Sequence, residues 1–239
     1  RGIPAYDFGY VLMHAIDYAT WLDGSPRYEV TLTAEWPEWT LAPKDRLVPI
    51  GSLEWVEGWL QRAWGRSLPE PVYIPEAFRP PRYLHRAVQR IAGPSAPGDA
   101  PVFVKSATRY KGMEPVITNR LDQLPSDTYW ISDVVDFVTE WRAFVYRRRL
   151  VGLHYYSGDF TVMPDVAVVR SMIADYTDAP DAFTLDVGVL ASGDTALVEV
   201  HPLVSCGFYG FADLPLVPGM LIAGWLSVLC DGSFPLTRF

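Results

Sequence analysis

The sequence predicts an α+β fold, and three observations carry that prediction. Hydrophobic residues make up 49% and charged residues 20% of the 239 positions, which is ample material for a packed interior and excludes disorder for the bulk of the chain. Helix-spaced apolar runs occur at separate places along the chain, whereas short strand-like runs dominate from Pro101 onward. Neighbouring strand runs are joined by turn residues at hairpin spacing, so the strands pair mostly antiparallel.

Taken in order, the first part of the chain is rich in tryptophan. Six of nine (Trp21, Trp36, Trp39, Trp55, Trp59 and Trp64) fall within the first 64 residues, where core packing is their expected role. Up to about Ala77 the chain reads as short strand-like runs around one good helix. In that helix Ser52 is a natural N-cap, and Leu53, Val56, Trp59, Leu60 and Ala63 follow at helical spacing. Residues 79–100 read as a connector, proline-rich at both ends. Val102-Phe103-Val104 is an apolar strand ending on Lys105; residues 129–138 form another run, and residues 140–146 alternate. Arg147-Arg148-Arg149 sit at the turn into a partner strand over 150–156. A helix is expected over 165–175, a second hairpin from 183–190 and 196–201 around Ser192-Gly193, and a last helix over 218–229.

Charge narrows the function classes. Twenty basic against 28 acidic residues leave a net charge of −8, and the three-arginine run is too short to make a footprint for nucleic acid. No apolar run approaches the ~20 residues that span a bilayer, so no membrane partner is expected. The first residues show no signal-peptide pattern, and without an initiating Met the numbering is expected to begin inside a longer gene product. Cys206 and Cys230 form no CxxC and no zinc spacing; they read as reduced thiols of a cytoplasmic protein, with a disulfide between them as the alternative. GxSxG, Walker A and GxGxxG sequences are absent, as are the hydrolase, P-loop and Rossmann readings that rest on them.

The strongest local pattern lies in the second hairpin. With Ser192-Gly193 as a two-residue loop, Ala191 opposes Asp194, and counting outward brings Asp186 opposite Glu199. Alternation places His201 on the face of Glu199 and leaves Leu185, Val187, Val198 and Val200 to an apolar face. Facing carboxylates repel unless positive charge lies between them, and a hard divalent cation held by carboxylates and substrate phosphates supplies it. The alternative is a pair of solvated acids, or a register slipped by one. In the 140–146 run, Glu140 and Arg142 share one face and Trp141, Ala143 and Val145 the other. Arg142 suits bidentate capture of a phosphate or carboxylate, or else an ordinary ion pair with Glu140 or a neighbour. Lys105, at the end of its strand, and Lys111, before Gly112, suit a nucleotide phosphate; solvated lysines are the alternative. His14, His85 and His154 show no pairing spacing and read as structural or surface residues.

The ordered set Phe103-Val104-Lys105, Trp130-Ile131-Ser132-Asp133-Val134-Val135, Glu140-Trp141-Arg142-Ala143-Phe144-Val145, Tyr156-Ser157-Gly158, Leu185-Asp186-Val187-Gly188-Val189 and Val198-Glu199-Val200-His201 resembles the ATP-grasp superfamily. Within it the chain is similar to a compact clade marked by one arginine and two lysines, which Ser205-Cys206-Gly207-Phe208-Tyr209-Gly210-Phe211 also fits. The resemblance implies two α+β subdomains gripping ATP over residues 85–239, hinged near 131–136. Residues 1–84 would form a smaller preceding region, with Val48-Pro49-Ile50-Gly51-Ser52 its best match. It further implies that Lys105 and Lys111 contact ATP phosphates and that the backbone of Ser132, Asp133, Val134 and Val135 pairs with the adenine edge. Asp136 would meet the ribose, with Glu140 also in the cofactor site. Arg142 would steady the transferred phosphoryl group, and Asp186 and Glu199 would bind Mg2+. His201 stands where the superfamily usually has Asn; it would bind the metal weakly, orient Glu199 or act as a general base, and with Lys105 and Arg142 it completes the catalytic set. The implied activity is ligation of a carboxylate to an amine through an acyl phosphate, on an amino-acid or peptide-like substrate, with a homodimer in keeping with the family. The alternatives are an ATP-binding module without ligase activity and a structural or interaction protein.

Overall fold

The computed structural model describes residues 5–33 and 47–229, and within these the chain builds two four-stranded sheets and five α-helices. Helix α1 (Asp7–Asp23) was not foreseen; it carries an acid in its first turn and stops at Gly24 in the left-handed conformation. Helix α2 (Leu53–Trp64) forms as expected: Ser52 Oγ accepts from the Trp55 amide at 3.2 Å, and Gly65 closes the helix. Before residue 88 the described residues hold no strand, in place of the strand-like runs expected there. The expected connector contains a single helical turn, α3 (Pro81–Leu84), and strand β1 (Val88–Ala92). Proline-rich ends misled the reading, because the apolar pairing partner of β1 lies about forty residues downstream.

Strands β2 (Val102–Ser106), β3 (Val116–Thr118) and β4 (Thr128–Asp133) join β1 in a small sheet of order β1-β4-β2-β3. The expected single run over 129–138 is two strands: residues 134–136 leave the first sheet, and β5 (Phe137–Tyr146) enters the second. Strand β6 (Arg149–Gly158) returns antiparallel after Arg147 and Arg148, whose φ angles of 47° and 62° make the tight turn. Helix α4 (Val166–Asp175) is capped by Asp165, whose carboxylate accepts from the Ala167 amide at 2.7 Å. Strands β7 (Ala182–Leu190) and β8 (Thr195–Pro202) complete the order β6-β5-β7-β8, and α5 (Val217–Leu229) follows.

The second sheet is covered on both faces. Trp141, Ala143, Val145, Leu185, Val187 and Leu197 pack with Val169, Met172 and Ile173 of α4. On the other face Phe144 and Ala182 pack with Phe8 and Ala15 of α1 and Val217 and Met220 of α5. Helix α2 docks on α5 through Val56, Trp59 and Leu60 against Trp225 and Leu229. Trp59 takes the expected core role, with its ring centroid 5.5 Å from that of Trp225. Trp21 contradicts it at 76% exposure, and Trp36, Trp39 and Cys230 lie outside the described residues. No helix among the described residues is long and apolar enough to cross a membrane.

Gly158 ends β6 at φ +86°, where a Cβ would lie 2.2 Å from the Val138 carbonyl oxygen. Both conformation and space exclude a side chain, so Gly158→Ala is expected to cost about 2 kcal/mol or more. A shift of the urea midpoint to lower concentration at unchanged slope checks it.

Candidate functional site

A charged row crosses one face of the second sheet. Arg142 on β5 pairs in register with Asp186 on β7, and Asp186 with Glu199 on β8. The pairing of the two acids expected from the hairpin is present, but the chain reaches it by another route. The turn spans three residues, with the Leu190 amide donating to the Asp194 carbonyl, so Val187 opposes Leu197 rather than Val198. A β-bulge at Val198 then restores the register and brings Glu199 opposite Asp186. Leu197, not Val198, therefore fills the apolar face.

The row is neutralised from both ends. Arg142 is 5% exposed and Asp186 2%, and the guanidinium donates Nε to Oδ1 at 2.8 Å and Nη2 to Oδ2 at 2.7 Å, a bidentate pair. Of the two uses of Arg142 that alternation allowed, the ion pair is the one formed here, with Asp186 and not with Glu140. Glu140 instead accepts from the Tyr156 hydroxyl at 2.8 Å. The third Arg142 donor goes to the Gly207 carbonyl at 3.0 Å, and the Tyr209 ring lies 4.8 Å from the guanidinium carbon. Burial works against the charge on Arg142, but Asp186 more than restores it and holds its pKa above the ordinary value.

At the other end, Lys105 reaches across from β2 of the first sheet. Its ammonium pairs with Glu199 Oε2 and sits 3.2 Å from the Tyr73 ring centroid. His201 Nε2 meets Glu199 Oε1 at 2.5 Å. Burial alone would raise the Glu199 pKa, yet His201 and Lys105 together hold it well below the usual carboxylate range. For Lys105, burial outweighs Glu199 and lowers the pKa. Tyr73 and Tyr110 frame His201 edge-on and tilted, at 6.0 and 6.4 Å, and burial with the charge of Glu199 pushes the Tyr73 hydroxyl up to about 12.

The remaining predicted residues lie outside this row. Lys111 is exposed in the turn after β2 at φ 51°. Ser132 lies inside the β4 ladder, between Val88 and Phe103. The Asp133 amide donates to the Ala87 carbonyl and its carboxylate accepts from the Ala87 amide at 2.9 Å. Val134, Val135 and Asp136 are the residues outside both ladders, where the chain passes from one sheet to the other. Cys206 is a buried free thiol, pushed up to about 12 by burial.

Sequence reasoning missed Asp7, Tyr73, Arg86, Tyr110, Tyr156 and Tyr209 as site residues. Asp7 reads as a helix-start acid, yet its Oδ2 accepts from the Phe208 and Tyr209 amides at 2.7 and 3.0 Å. It thereby pins the turn that presents Tyr209, at φ 48°, to Arg142. No spacing rule marks such contacts, because they join segments about two hundred residues apart.

Asp186, Glu199 and His201 bring ligand atoms within 4.8 Å of one another. The two carboxylates are oxygen donors of the kind Mg2+ takes, whereas an imidazole is a poor ligand for it. The donor set therefore fits Mg2+ through the acids, on condition that Arg142 and Lys105 release them. Removing one partner of the buried pair strands the other: Asp186→Ala is expected to destabilise the fold by about 3–5 kcal/mol. The double variant Asp186→Leu, Arg142→Met should cost less than the sum of its two single changes, measured as a double-mutant cycle by denaturant unfolding.

Comparison with curated proteins gives no match. Among solved structures the chain is similar to the ATP-grasp ligase PsnB complexed with a minimal precursor, at 14% identity and TM-score 0.42 over 72% of this chain and 59% of that one. It is also similar to D-alanine–D-alanine ligase from Bacillus anthracis complexed with ATP, at 10% identity and TM-score 0.43 over 64% and 61% of the two chains. The chain thus spans about three-fifths of the length of those proteins. Residues 83–216, more than half of the sequence, match the ATP-grasp domain family that is the second of the clade named for one arginine and two lysines. With the ordered motifs, the two antiparallel sheets and that match in agreement, the chain belongs to the ATP-grasp superfamily, in the second family of its arginine-and-two-lysine clade.

Proposed function

We propose that the protein is an ATP- and Mg2+-dependent carboxylate–amine ligase acting on an amino-acid or peptide-like substrate. The observation that carries this reading is the row itself: two cations, Arg142 and Lys105, are paired with two neighbouring acids, Asp186 and Glu199, the first pair within the second sheet and the second joining the two sheets. ATP adds several negative charges and a metal adds two positive ones, so both kinds of group gain new partners together. Lys105 and Arg142 would turn from the acids to phosphate oxygens, with Lys111 approaching from its exposed turn. Asp186 and Glu199 would then hold Mg2+, whose charge offsets that of the polyphosphate. Val134, Val135 and Asp136, outside both ladders, are the backbone best placed for adenine and ribose, more so than Ser132 and Asp133.

A substrate carboxylate would attack the γ-phosphate, giving an acyl phosphate and ADP, and an amine would displace phosphate to form the amide. The chain's task is positioning and charge neutralisation rather than nucleophilic attack. His201 orients Glu199 through their 2.5 Å contact, which suits it better than metal ligation. Residues 1–84 are proposed as the preceding region that shapes the site, since Asp7 and Tyr73 both come from it. A second reading, ATP binding without turnover, is favoured by one observation: both Glu199 oxygens are already engaged.

ADP release with pooled amino acids should depend on Mg2+ and fall at least 100-fold in Arg142→Ala and in Glu199→Ala. Calorimetric ATP binding without substrate-stimulated ADP release would favour the second reading. Lys105→Met should act in opposite directions on two ligands. ATP binding weakens, while Mn2+ alone, titrated by electron paramagnetic resonance, binds more tightly because Glu199 has lost its competing ammonium. Equal weakening of both would contradict the proposed exchange.

A further inference from the structure

The bulge at Val198 sets the register of Glu199, and a bulge is a liability that something must secure. One extra residue in β8 leaves backbone groups without ladder partners and frees the strand to slip. Were β8 to run on in the register it has at Leu197, Val198 would oppose Asp186 and Glu199 would point into the apolar face with Leu185. Strand β8 is also the edge of its sheet, so no further strand fixes it from outside.

Arg86 supplies the missing constraint. Its Nη1 donates to the Leu197 carbonyl at 2.7 Å and to the Leu84 carbonyl at 3.1 Å, and its Nη2 to the Val198 carbonyl at 3.2 Å. The guanidinium thus spans the two carbonyls that bracket the bulge, while its carbon lies 5.8 Å from the Phe137 ring centroid. Just beyond Glu199, the Val200 amide donates to the Tyr73 carbonyl at 2.8 Å. Glu199 is therefore held from both sides along the open edge. The planar fork suits this task, since one Arg side chain bonds several carbonyls that a lysine would reach singly. Arg86 immediately precedes Ala87, which exchanges two hydrogen bonds with Asp133, so the same clamp ties β8 to the passage between the sheets.

We propose that Arg86 is a positioning residue for Glu199, holding the Val198 bulge so that the carboxylate stands beside Asp186 on the charged face. It acts through backbone carbonyls and needs no contact with substrate. The proposal rests on the reading of Glu199 as a metal-binding acid. The experiment measures Mn2+ affinity by electron paramagnetic resonance, in the presence of a saturating non-hydrolysable ATP analogue and with folding verified by circular dichroism. Wild type is compared with Glu199→Gln, Arg86→Gln, Arg86→Lys and a chain lacking Val198. Arg86→Gln is expected to weaken Mn2+ binding at least about tenfold, with Arg86→Lys recovering part of the loss. Deleting Val198 removes the bulge yet leaves Glu199 in register with Asp186, so Arg86→Gln in that background should change Mn2+ affinity less than threefold.

A folded Arg86→Gln protein that binds Mn2+ as wild type does, while Glu199→Gln does not, overturns the proposal. An equal loss with and without Val198 also overturns it. If Glu199→Gln itself keeps wild-type affinity, the assignment of Glu199 to the metal fails, and this proposal falls with it. Should Arg86→Gln not fold, Arg86→Lys carries the test: intermediate affinity supports the clamp, and wild-type affinity overturns it.

Discussion

Two carboxylates set side by side in a sheet, one of them almost wholly buried, cannot stand without positive charge within reach. That constraint organises the structure. Arg142 satisfies Asp186 from the neighbouring strand of the same sheet, and Lys105 satisfies Glu199 from the other sheet. The Lys105–Glu199 pair is thus a bond between the two sheets as well as a charge balance. In a low-dielectric setting each pair is strong, and each is costly to break alone. Exchange of partners is favourable only when anion and cation arrive together, which is what a metal–nucleotide complex offers.

Aromatic rings keep the two cations where they are. Tyr156 and Tyr209 stack with centroids 4.9 Å apart beside Arg142, and Tyr73 lies under Lys105. These rings come from distant parts of the chain, and each is fixed by a separate bond: Tyr209 through Asp7, Tyr156 through Glu140, and Tyr73 through its carbonyl, which accepts from the Val200 amide. The first helix is therefore not a detachable preface to the sheets. Its acid reaches the turn that faces Arg142, and its apolar side shares a core with Phe144.

Much of this was legible in the sequence, and the reasons differ by residue. Asp186, Glu199 and His201 declared themselves because strand alternation is a strict period of two, and a hairpin fixes which residues meet. That count assumed a two-residue loop, and it reached the right pair only because the three-residue turn and the Val198 bulge cancel. Bulges leave little trace in composition, so the cancelling shift could not be read in advance. Lys105 and Arg142 were recognisable by position and by resemblance, but the carboxylates they pair with were not. Helix α1 and strand β1 escaped notice because their partners, α5 and β4, lie far along the chain. Arg86 and Asp7 escaped for the same reason: a side chain bonding distant backbone has no local pattern.

The most direct test is a crystal structure with Mg2+ and a non-hydrolysable ATP analogue. A metal ion between Asp186 and Glu199, with Lys105 Nζ and the Arg142 guanidinium moved onto phosphate oxygens, is the result expected. Nucleotide bound elsewhere, with both ion pairs still closed, would contradict the account.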